Sequence, residues 1–536
     1  MITNNSNIAK GEALSIGESP VETAGQSLSS KAIDPNEKHL STDHLLTDLK
    51  GRTISGAFIS IAAQGAQFVL GLGSTIVLAR LLTPRDFGLY AMVTIVIGYL
   101  RVFKDAGLST ATVQREGITH AQVSNLLWIN LLVSGAMSLI LAACSPIVAW
   151  FFREPRLIPI TLILSSTFLL SGLTIQHTSL LNRQMRFKAV AFIQVGSMLI
   201  GVATGIGMAW LRYNYWALVF SHLVTVAVAV PLTWLAIPWR PQRPSRRSGI
   251  RSLVSFGANM ASGGFIYWLA RGTDAMLIGR FFGPDWVGFY TRADVLLERP
   301  MDHVLSPINS VFVPVLSRLQ TQPERYRRTF LQLYEAMALV SSLYTSLLFA
   351  LARPLTLVVL GPKWEPTSTI LIGFTIGALG MPLFTASTWL FASQGRGRHW
   401  LFASSLVSLV TAGSFVVGLR FGPAGVATVY SVAVILMSLP ILYYVAGRAG
   451  PVTTADLWAG MLRYVPVWVV VCGTTYSMRL LMANSAPVVQ LVVCASVGLM
   501  AGAILIYILT PIRRTALSLV DILQELKSGR YRSSAK

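Results

Sequence analysis

Residues 77–90 read VLARLLTPRDFGLY, and residues 277–290 read LIGRFFGPDWVGFY. Four residue types recur without a gap and in the same order: Arg80/Arg280, Pro84/Pro284, Gly88/Gly288 and Tyr90/Tyr290. Proline and glycine can end one helix and let the next turn back, and arginine and tyrosine suit a membrane interface. We interpret each copy as a turn between two membrane helices. The alternative is a gate in which Arg80 and Arg280 act at the external mouth.

A weaker repeat links two later stretches at a spacing of about 210 residues. Its pairs are Leu180/Leu390, Gln184/Gln394, Arg186/Arg396 and Lys188/Arg398. Six predicted helices separate each feature from its copy, and six is an even number. Both copies therefore have the same orientation in the membrane, as in transporters built from parallel repeats. The pattern predicts two six-helix lobes around a central cavity.

The composition excludes an ordinary soluble protein. Of the 536 residues, 53% are hydrophobic and 12% are charged, whereas about a quarter of an average soluble chain is charged. The net charge of +21 would suggest nucleic-acid binding in a soluble protein. In so apolar a chain we ascribe it to membrane topology and expect no nucleic-acid partner.

A membrane helix needs about 20 largely apolar residues. The sequence predicts fourteen such spans, in an all-α integral membrane protein, near residues 56–79, 87–103, 123–145, 157–179, 189–211, 215–238, 253–278, 286–312, 329–351, 367–391, 399–419, 424–446, 457–478 and 487–509. The predicted parts follow one another along the chain. They are a disordered cytoplasmic tail (1–52), an N-lobe (53–238), a basic cytoplasmic linker (239–252), a C-lobe (253–446), two appended helices (447–510) and a cytoplasmic C-terminal tail (511–536).

Basic residues orient these spans. With both termini inside, 29 of the 43 Lys and Arg fall on the cytoplasmic side and ten fall in outer loops, as the positive-inside rule requires. We therefore predict a multi-pass protein of the bacterial cytoplasmic membrane. The apolar positions Leu517, Val520, Leu523 and Leu526 indicate a short amphipathic helix in the C-terminal tail. It either lies on the inner leaflet or binds a partner.

Three stretches carry a resemblance to a known family. They are IVLARLLTPRDFGLY at 76–90, FKDAGLSTATVQR at 103–115, and the segment from LIGR at 277–280 through GFY at 288–290 to PVLSRLQ at 314–320. Over roughly residues 50–510 the chain resembles the Wzx-like polysaccharide transporters of the multidrug/oligosaccharidyl-lipid/polysaccharide exporter superfamily.

The resemblance implies a flippase rather than an enzyme. Members of this family move an undecaprenyl-pyrophosphate-linked oligosaccharide from the inner to the outer leaflet by alternating access, for the biosynthesis of exopolysaccharide, capsule or O-antigen. Polysaccharide polymerase and co-polymerase proteins are the implied partners, beside membrane lipid. One alternative is an ion-coupled multidrug exporter of the same superfamily. A membrane glycosyltransferase or polymerase is disfavoured, since no predicted loop between spans exceeds about 25 residues.

Arginines within the spans are candidate substrate ligands, because each costs about 2.5–3.5 kcal/mol to bury in the membrane. Arg292, Arg299 and His303 are spaced seven and four apart, which places them on one helix face. With Arg271 of the preceding span, the two arginines are predicted to bind the pyrophosphate through their guanidinium forks.

Carboxylates lie on neighbouring faces of the same spans. Asp274 shares a face with Arg271, and Asp294, Glu298 and Asp302 follow at four-residue spacing. We predict that Asp274, Glu298 or Asp302 titrates or binds a cation to couple transport to Na+ or H+. The alternative is structural ion pairing, Arg271 with Asp274 and Glu298 with Asp302 through His303. Either way, we expect one cavity of mixed charge.

Several other features were assigned no chemistry. Pro300 and Pro307 are expected to allow the eighth span to bend or break, and Glu335 and Arg463 to extend to the cytoplasmic interface. The chain has no Gly-x-x-x-x-Gly-Lys-Ser/Thr phosphate loop. Its histidines and three cysteines lack metal-ligand spacing, so we predict no catalytic residue, metal site or bound cofactor.

Overall fold

The computed structural model describes residues 49–105, 112, 118–244 and 272–517, which form helices joined by short turns, with no β-strand among them. The first group of helices is α1 (Leu49–Leu81), α2 (Pro84–Asp105), α3 (His120–Ala143), α4 (Ser145–Phe152), α5 (Leu157–Arg183), α6 (Phe187–Trp210) and α7 (Trp216–Ala236). The second group is α8 (Thr273–Phe282), α9 (Pro284–Arg318), α10 (Pro323–Val359), α11 (Glu365–Ala378), α12 (Met381–Ser393), α13 (Gly397–Gly418), α14 (Gly422–Ala433) and α15 (Leu439–Gly447). Three more follow: α16 (Thr454–Leu462), α17 (Val465–Leu481) and α18 (Pro487–Ile508).

The all-helical membrane fold predicted from hydropathy is confirmed. Every predicted span except the seventh coincides with one or two of these helices. The seventh, 253–278, lies mostly outside the described residues, and α8 covers its end. Ten described stretches are long and apolar enough to cross a membrane, and one of them, Gly397–Gly447, contains two predicted spans. The charged helices α2 and α9 are not among the ten, so the count of fourteen stays a prediction.

The backbone repeats itself where the sequence suggested it. Met185 after α5 and Gly395 after α12 both have a positive φ, at 53° and 67°. Arg212 after α6 and Gly422 at the start of α14 form a second such pair, at 63° and 76°. A left-handed residue is a common way to end a helix. Both pairs are 210 residues apart, which supports the second repeat at the level of backbone conformation.

The segment after α7 packs against the ends of the first group that the sequence predicts to be cytoplasmic. Trp239 is fully buried, the His120 ring donates to the Arg240 carbonyl at 2.9 Å, and the Gln242 amide donates to Ser124 Oγ at 3.0 Å. The first residues of the predicted linker are therefore docked on the helices, and 245–252 lie outside the described part of the chain. Helix α1 begins at Leu49, which is inside the predicted N-terminal tail of residues 1–52.

Glu335 and Arg463, which the sequence analysis placed at the interface without pairing them, contact each other. They form an ion pair at 2.6 Å, to which Tyr464 and Thr515 add hydroxyl contacts with Glu335 Oε2 at 3.3 and 3.2 Å. Residues 510–517 are helical and Ile512 is buried. The start of the C-terminal tail therefore packs on protein, while Val520, Leu523 and Leu526 lie outside the described residues.

Candidate functional site

The two copies of the sequence repeat touch each other. A Cβ on Gly88 of α2 would overlap the carbonyl oxygen of Pro284, and a Cβ on Gly288 of α9 would overlap that of Pro84. Small residues allow two membrane helices to approach this closely. Both glycines lie inside their helices, and each proline begins its helix rather than ending the previous one. Our interpretation of the glycines as part of the turn was wrong: they form a reciprocal contact between the two groups of helices.

The loop before α11 strengthens this contact. Trp364 is fully buried and donates from Nε1 to the Ala79 carbonyl at 2.9 Å. Its ring centroid lies 5.2 Å from that of Phe87 in α2 and 6.0 Å from that of Phe289 in α9. One aromatic side chain thus fills the space between both copies of the repeat.

The repeat arginines each bind the opposite group of helices. Arg80 donates to the Val358 carbonyl of α10 at 2.8 Å, and the Arg280 guanidinium lies 6.0 Å from the ring centroid of Phe151 in α4. We call the surface formed by these arginines, the two glycines and Trp364 the outer contact. It joins the two groups at the end for which the sequence predicts an outer position.

One face of α9 carries the candidate arginines. The Arg292 guanidinium lies 4.8 Å from the Phe87 ring centroid of α2, and its Nε has no hydrogen-bond partner in the described structure. Arg299 is exposed, and its NH1 lies 3.3 Å from the position that a Cβ on Gly71 of α1 would occupy. Both side chains of this basic face therefore extend toward α1 and α2. The third predicted ligand, Arg271, lies outside the described residues.

A neighbouring face of α9 lines a cavity of about 310 Å³. Asp294, Glu298 and Asp302 line it together with Asp274 of α8, and none of its described lining residues is a lysine or arginine. The expected cavity of mixed charge stays a prediction, because Arg271, next to the lining residue Gly272, lies outside the described residues. The acidic face of α9 faces mainly helices of the second group, with Ile95 of α2 also in the lining, whereas its basic face meets the first.

Tyr290 holds the carboxylate of Asp274. Its hydroxyl donates to Asp274 Oδ2 at 2.8 Å, and the Ala275 amide donates to Oδ1 at 2.8 Å. Tyr290 is 1% exposed, so the contact is fixed by packing. The predicted alternative, an Arg271–Asp274 pair, involves a residue outside the described part. Sequence analysis placed Tyr290 in the repeat but did not connect it with Asp274, which lies sixteen residues earlier on another helix.

The helix that carries both faces is continuous. Helix α9 runs unbroken from Pro284 to Arg318, through Pro300 and Pro307, so of the predicted bend or break the break does not occur, and the bend stays a prediction. A proline removes one backbone hydrogen bond without ending a helix that its neighbours support. The His303 side chain lies outside the description, and its predicted bridge between Glu298 and Asp302 stays a prediction.

The far wall of the cavity was not predicted at all. It consists of aromatic and hydroxyl side chains, including Trp400, Ser404, Ser408, Tyr430 and Ser438. Ser438 ends a π-helical turn, Val434–Ser438, between α14 and α15. Such widened turns occur frequently at functional sites. The sequence signal is Pro440, which lacks a backbone N–H and leaves a carbonyl in the preceding turn without its usual donor.

A scan for known families matches residues 77–369 to a family described as polysaccharide biosynthesis protein. Among curated relatives, the teichuronic acid biosynthesis protein TuaB of Bacillus subtilis is 25% identical over 70% of this chain and 78% of its own. The lipopolysaccharide biosynthesis protein WzxC of Escherichia coli is 24% identical over 60% of this chain and 66% of its own. The succinoglycan biosynthesis transport protein ExoT of Rhizobium meliloti is 24% identical over 57% and 62%.

The fold is also similar to a solved structure. The lipid II flippase MurJ, in an inward closed conformation, superposes with a TM-score of 0.62 at 15% identity. The superposition covers 85% of this chain and 99% of that one. At this identity the likeness concerns the fold alone.

Proposed function

This chain belongs to the polysaccharide biosynthesis protein family, and we propose that it flips a lipid-linked oligosaccharide from the inner to the outer leaflet of the bacterial cytoplasmic membrane. The lipid is undecaprenyl pyrophosphate in this proposal, and both chain termini are cytoplasmic. The protein acts as a transporter and catalyses no covalent step. The names of TuaB, WzxC and ExoT support a role in cell-surface polysaccharide.

The observation that carries the proposal is the basic face of α9. Arg292 and Arg299, seven residues apart on α9, extend toward α2 and α1. A guanidinium without an anionic partner is costly within a membrane, and pyrophosphate oxygens match its fork of donors. The predicted third ligand, Arg271, precedes α8 in the sequence and lies outside the described residues. We assign the pyrophosphate to this face.

The outer contact supports alternating access. Arg80, Arg280, Gly88 and Gly288 join the two groups of helices at the outer end. Release of the substrate outside requires these contacts to separate. Their reciprocal arrangement allows the two groups to part as nearly rigid bodies, as parallel-repeat transporters do.

The proposal also includes coupling of transport to an Na+ or H+ gradient through Asp274. Its carboxylate lines the acidic cavity and is oriented by Tyr290. The same acidic, aromatic lining favours the second candidate function, an ion-coupled exporter of organic cations. Polysaccharide polymerase and co-polymerase proteins are the proposed partners at the outer surface.

Reconstitution into liposomes tests the function. Undecaprenyl pyrophosphate bearing a labelled oligosaccharide is placed in one leaflet, and its appearance in the other is followed with a membrane-impermeant reagent. We expect protein-dependent movement that an Na+ or H+ gradient changes. Accumulation of an organic cation such as ethidium, with no movement of the lipid, would contradict the proposal in favour of the second candidate.

A further inference from the structure

A second pocket, of about 430 Å³, lies where the two appended helices join α10. Its lining comes from the first turns of α10, the turn between α16 and α17, and the residues that follow α18. The lining residues are Gln332, Glu335, Arg463, Thr510, Pro511, Arg514 and Thr515. Hydropathy places the cytoplasmic end of a membrane span within about two helical turns of each of these segments. The second pocket therefore lies at the predicted level of the lipid headgroups of the inner leaflet.

The second pocket carries an excess of positive charge. Glu335 is the one carboxylate among its described lining residues, and both of its oxygens have donors within the protein. Oε1 accepts from the Arg463 guanidinium at 2.6 Å, and Oε2 accepts from the hydroxyls of Tyr464 and Thr515. Arg514 is exposed, and its guanidinium has no ion-pair partner among the described residues. Since the pair of Glu335 with Arg463 is neutral, Arg514 leaves the pocket positive.

A further arginine borders the second pocket. Arg328 is exposed on α10, four residues before Gln332 and seven before Glu335, and these spacings place the three residues on one helix face. The planar fork of a guanidinium donates two parallel hydrogen bonds to phosphate oxygens. The Gln332 amide and the Thr510 hydroxyl are neutral donors in the same lining. These groups together suit a phosphate that carries a net negative charge.

Exposed apolar side chains beside the second pocket indicate that this phosphate belongs to a lipid. Leu462 directly precedes Arg463, Ile508 lies two residues before Thr510, and Leu517 lies three residues after Arg514. Each of these three apolar side chains is more than half exposed. Acyl chains can cover such side chains, whereas a soluble anion would leave them bare. Basic pockets between membrane helices on the cytoplasmic side bind acidic headgroups in other membrane proteins.

We propose that the second pocket binds the headgroup phosphate of an acidic phospholipid of the inner leaflet. Arg514 and Arg328 attract the phosphate from two sides of the pocket, so that the lipid bridges α10 and the segment after α18. Helices α17 and α18 pack mainly on each other and on α10. The bound lipid therefore stabilises the attachment of the appended helices to the second group. This site is separate from the basic face of α9 and does not depend on which molecule the protein transports.

A matched pair of phospholipids tests the site. Dioleoyl phosphatidylglycerol and dioleoyl phosphatidylethanolamine have the same acyl chains, but the ethanolamine headgroup carries an ammonium that cancels the charge of its phosphate. Native mass spectrometry of the full chain in a neutral detergent measures the binding of each lipid. We expect the wild type to prefer the glycerol lipid by at least about tenfold, the combined effect of two arginines near an acidic headgroup. Arg328→Gln/Arg514→Gln should remove most of this preference.

Two further variants separate this pocket from general attraction to basic residues. Arg398→Gln removes one charge at the start of α13, on the same predicted side of the membrane, where Arg398 is exposed and outside the pocket lining. This control should keep the wild-type preference, and Arg514→Lys should keep part of it, because it retains the charge without the fork. Phosphatidylglycerol should also raise the thermal unfolding temperature of the wild type and of Arg398→Gln, but not that of the double glutamine variant.

Several outcomes would overturn the site. Equal binding of the two lipids by the wild type would do so, as would the same loss of preference in Arg398→Gln as in the double glutamine variant. Inorganic phosphate that stabilises the wild type as much as phosphatidylglycerol would assign the pocket to a soluble anion. Loss of undecaprenyl pyrophosphate binding in the double variant would place these arginines in a substrate site instead. Because binding and stability are measured rather than transport, failure of this proposal would leave the proposed function untouched.

Discussion

The two faces of α9 differ in what surrounds them. The basic face meets helices of the other group, where Arg292 lies against Phe87 and Arg299 is near Gly71. The acidic face lines a cavity whose described walls come mainly from the second group, with Ile95 of α2 added from the first, and there Tyr290 orients Asp274. Movement of one group against the other would therefore alter the surroundings of the arginines more than those of the carboxylates. The basic face is suited to a substrate that moves, and the acidic face to recognition that persists.

Removing the basic face should have the largest effect. We expect Arg292→Ala/Arg299→Ala to abolish export of surface polysaccharide in a deletion strain, because each guanidinium provides charge-assisted hydrogen bonds worth about 1.5–3 kcal/mol. The corresponding lysine variants should restore export only in part, since lysine lacks the bidentate fork. Export is measured at matched protein levels in the membrane.

Arg420→Ala serves as the control for this pair, because Arg420 is exposed in an outer turn. Normal export by the double alanine variant would mean that the basic face does not bind substrate.

Disturbing Asp274 should have a smaller effect that concerns coupling. Asp274→Asn should remove the dependence of transport on the ion gradient, and Tyr290→Phe should weaken the apparent ion affinity by about tenfold, through loss of one hydrogen bond to a charged group. Transport is measured at several Na+ concentrations and pH values. An unchanged ion dependence in both variants would leave the acidic face with no part in coupling.

The outer contact predicts equal effects from its two copies. Gly88→Ala and Gly288→Ala should each destabilise the closed arrangement by about 1–3 kcal/mol, the usual cost of overpacking, because each new Cβ overlaps a proline carbonyl. Thermal unfolding in detergent measures the loss. Gly98→Ala, also in α2, has no neighbour within 4 Å of its built Cβ and should be neutral. Unequal losses for the two copies would contradict a symmetric contact.

The smallest effect should come from charges that are paired within the protein. Glu335→Gln should cost less than about 1 kcal/mol, because its partner Arg463 is 42% exposed and such pairs contribute little. Polysaccharide export should remain normal, and thermal unfolding measures the small change in stability. A transport defect would place this pair in the translocation pathway. It would contradict our view that paired charges stabilise the protein whereas the charges of α9 act in transport.

Local patterns predicted much of this arrangement. Hydropathy indicated the helices, the paired motifs indicated the repeat, and spacings of four and seven correctly separated the faces of α9. Contacts between segments that are distant in the sequence could not be predicted from such patterns. Tyr290 with Asp274, Glu335 with Arg463 and the glycine contact each depend on how helices pack, and apolar positions of a membrane helix show little periodicity that would reveal its neighbours.

The aromatic and hydroxyl wall was missed for a related reason. Serine and tryptophan are ordinary residues of membrane helices, so Ser404, Ser408 and Trp400 carried no distinct signal. The π-helical turn at Ser438 depends on Pro440 and on the packing around it. Only the placement of α13–α15 opposite α9 makes these side chains a site.

Binding of undecaprenyl pyrophosphate without a sugar tests the central claim most directly. Quenching of intrinsic tryptophan fluorescence, or calorimetry, gives the affinity of the purified protein and of two variants that each alter one face of α9. We predict that Arg292→Ala/Arg299→Ala binds this lipid at least about tenfold more weakly, whereas Asp294→Asn/Glu298→Gln binds it like the wild type. Equal affinities in all three proteins, or a greater loss in the amide variant, would contradict the assignment of pyrophosphate to the basic face.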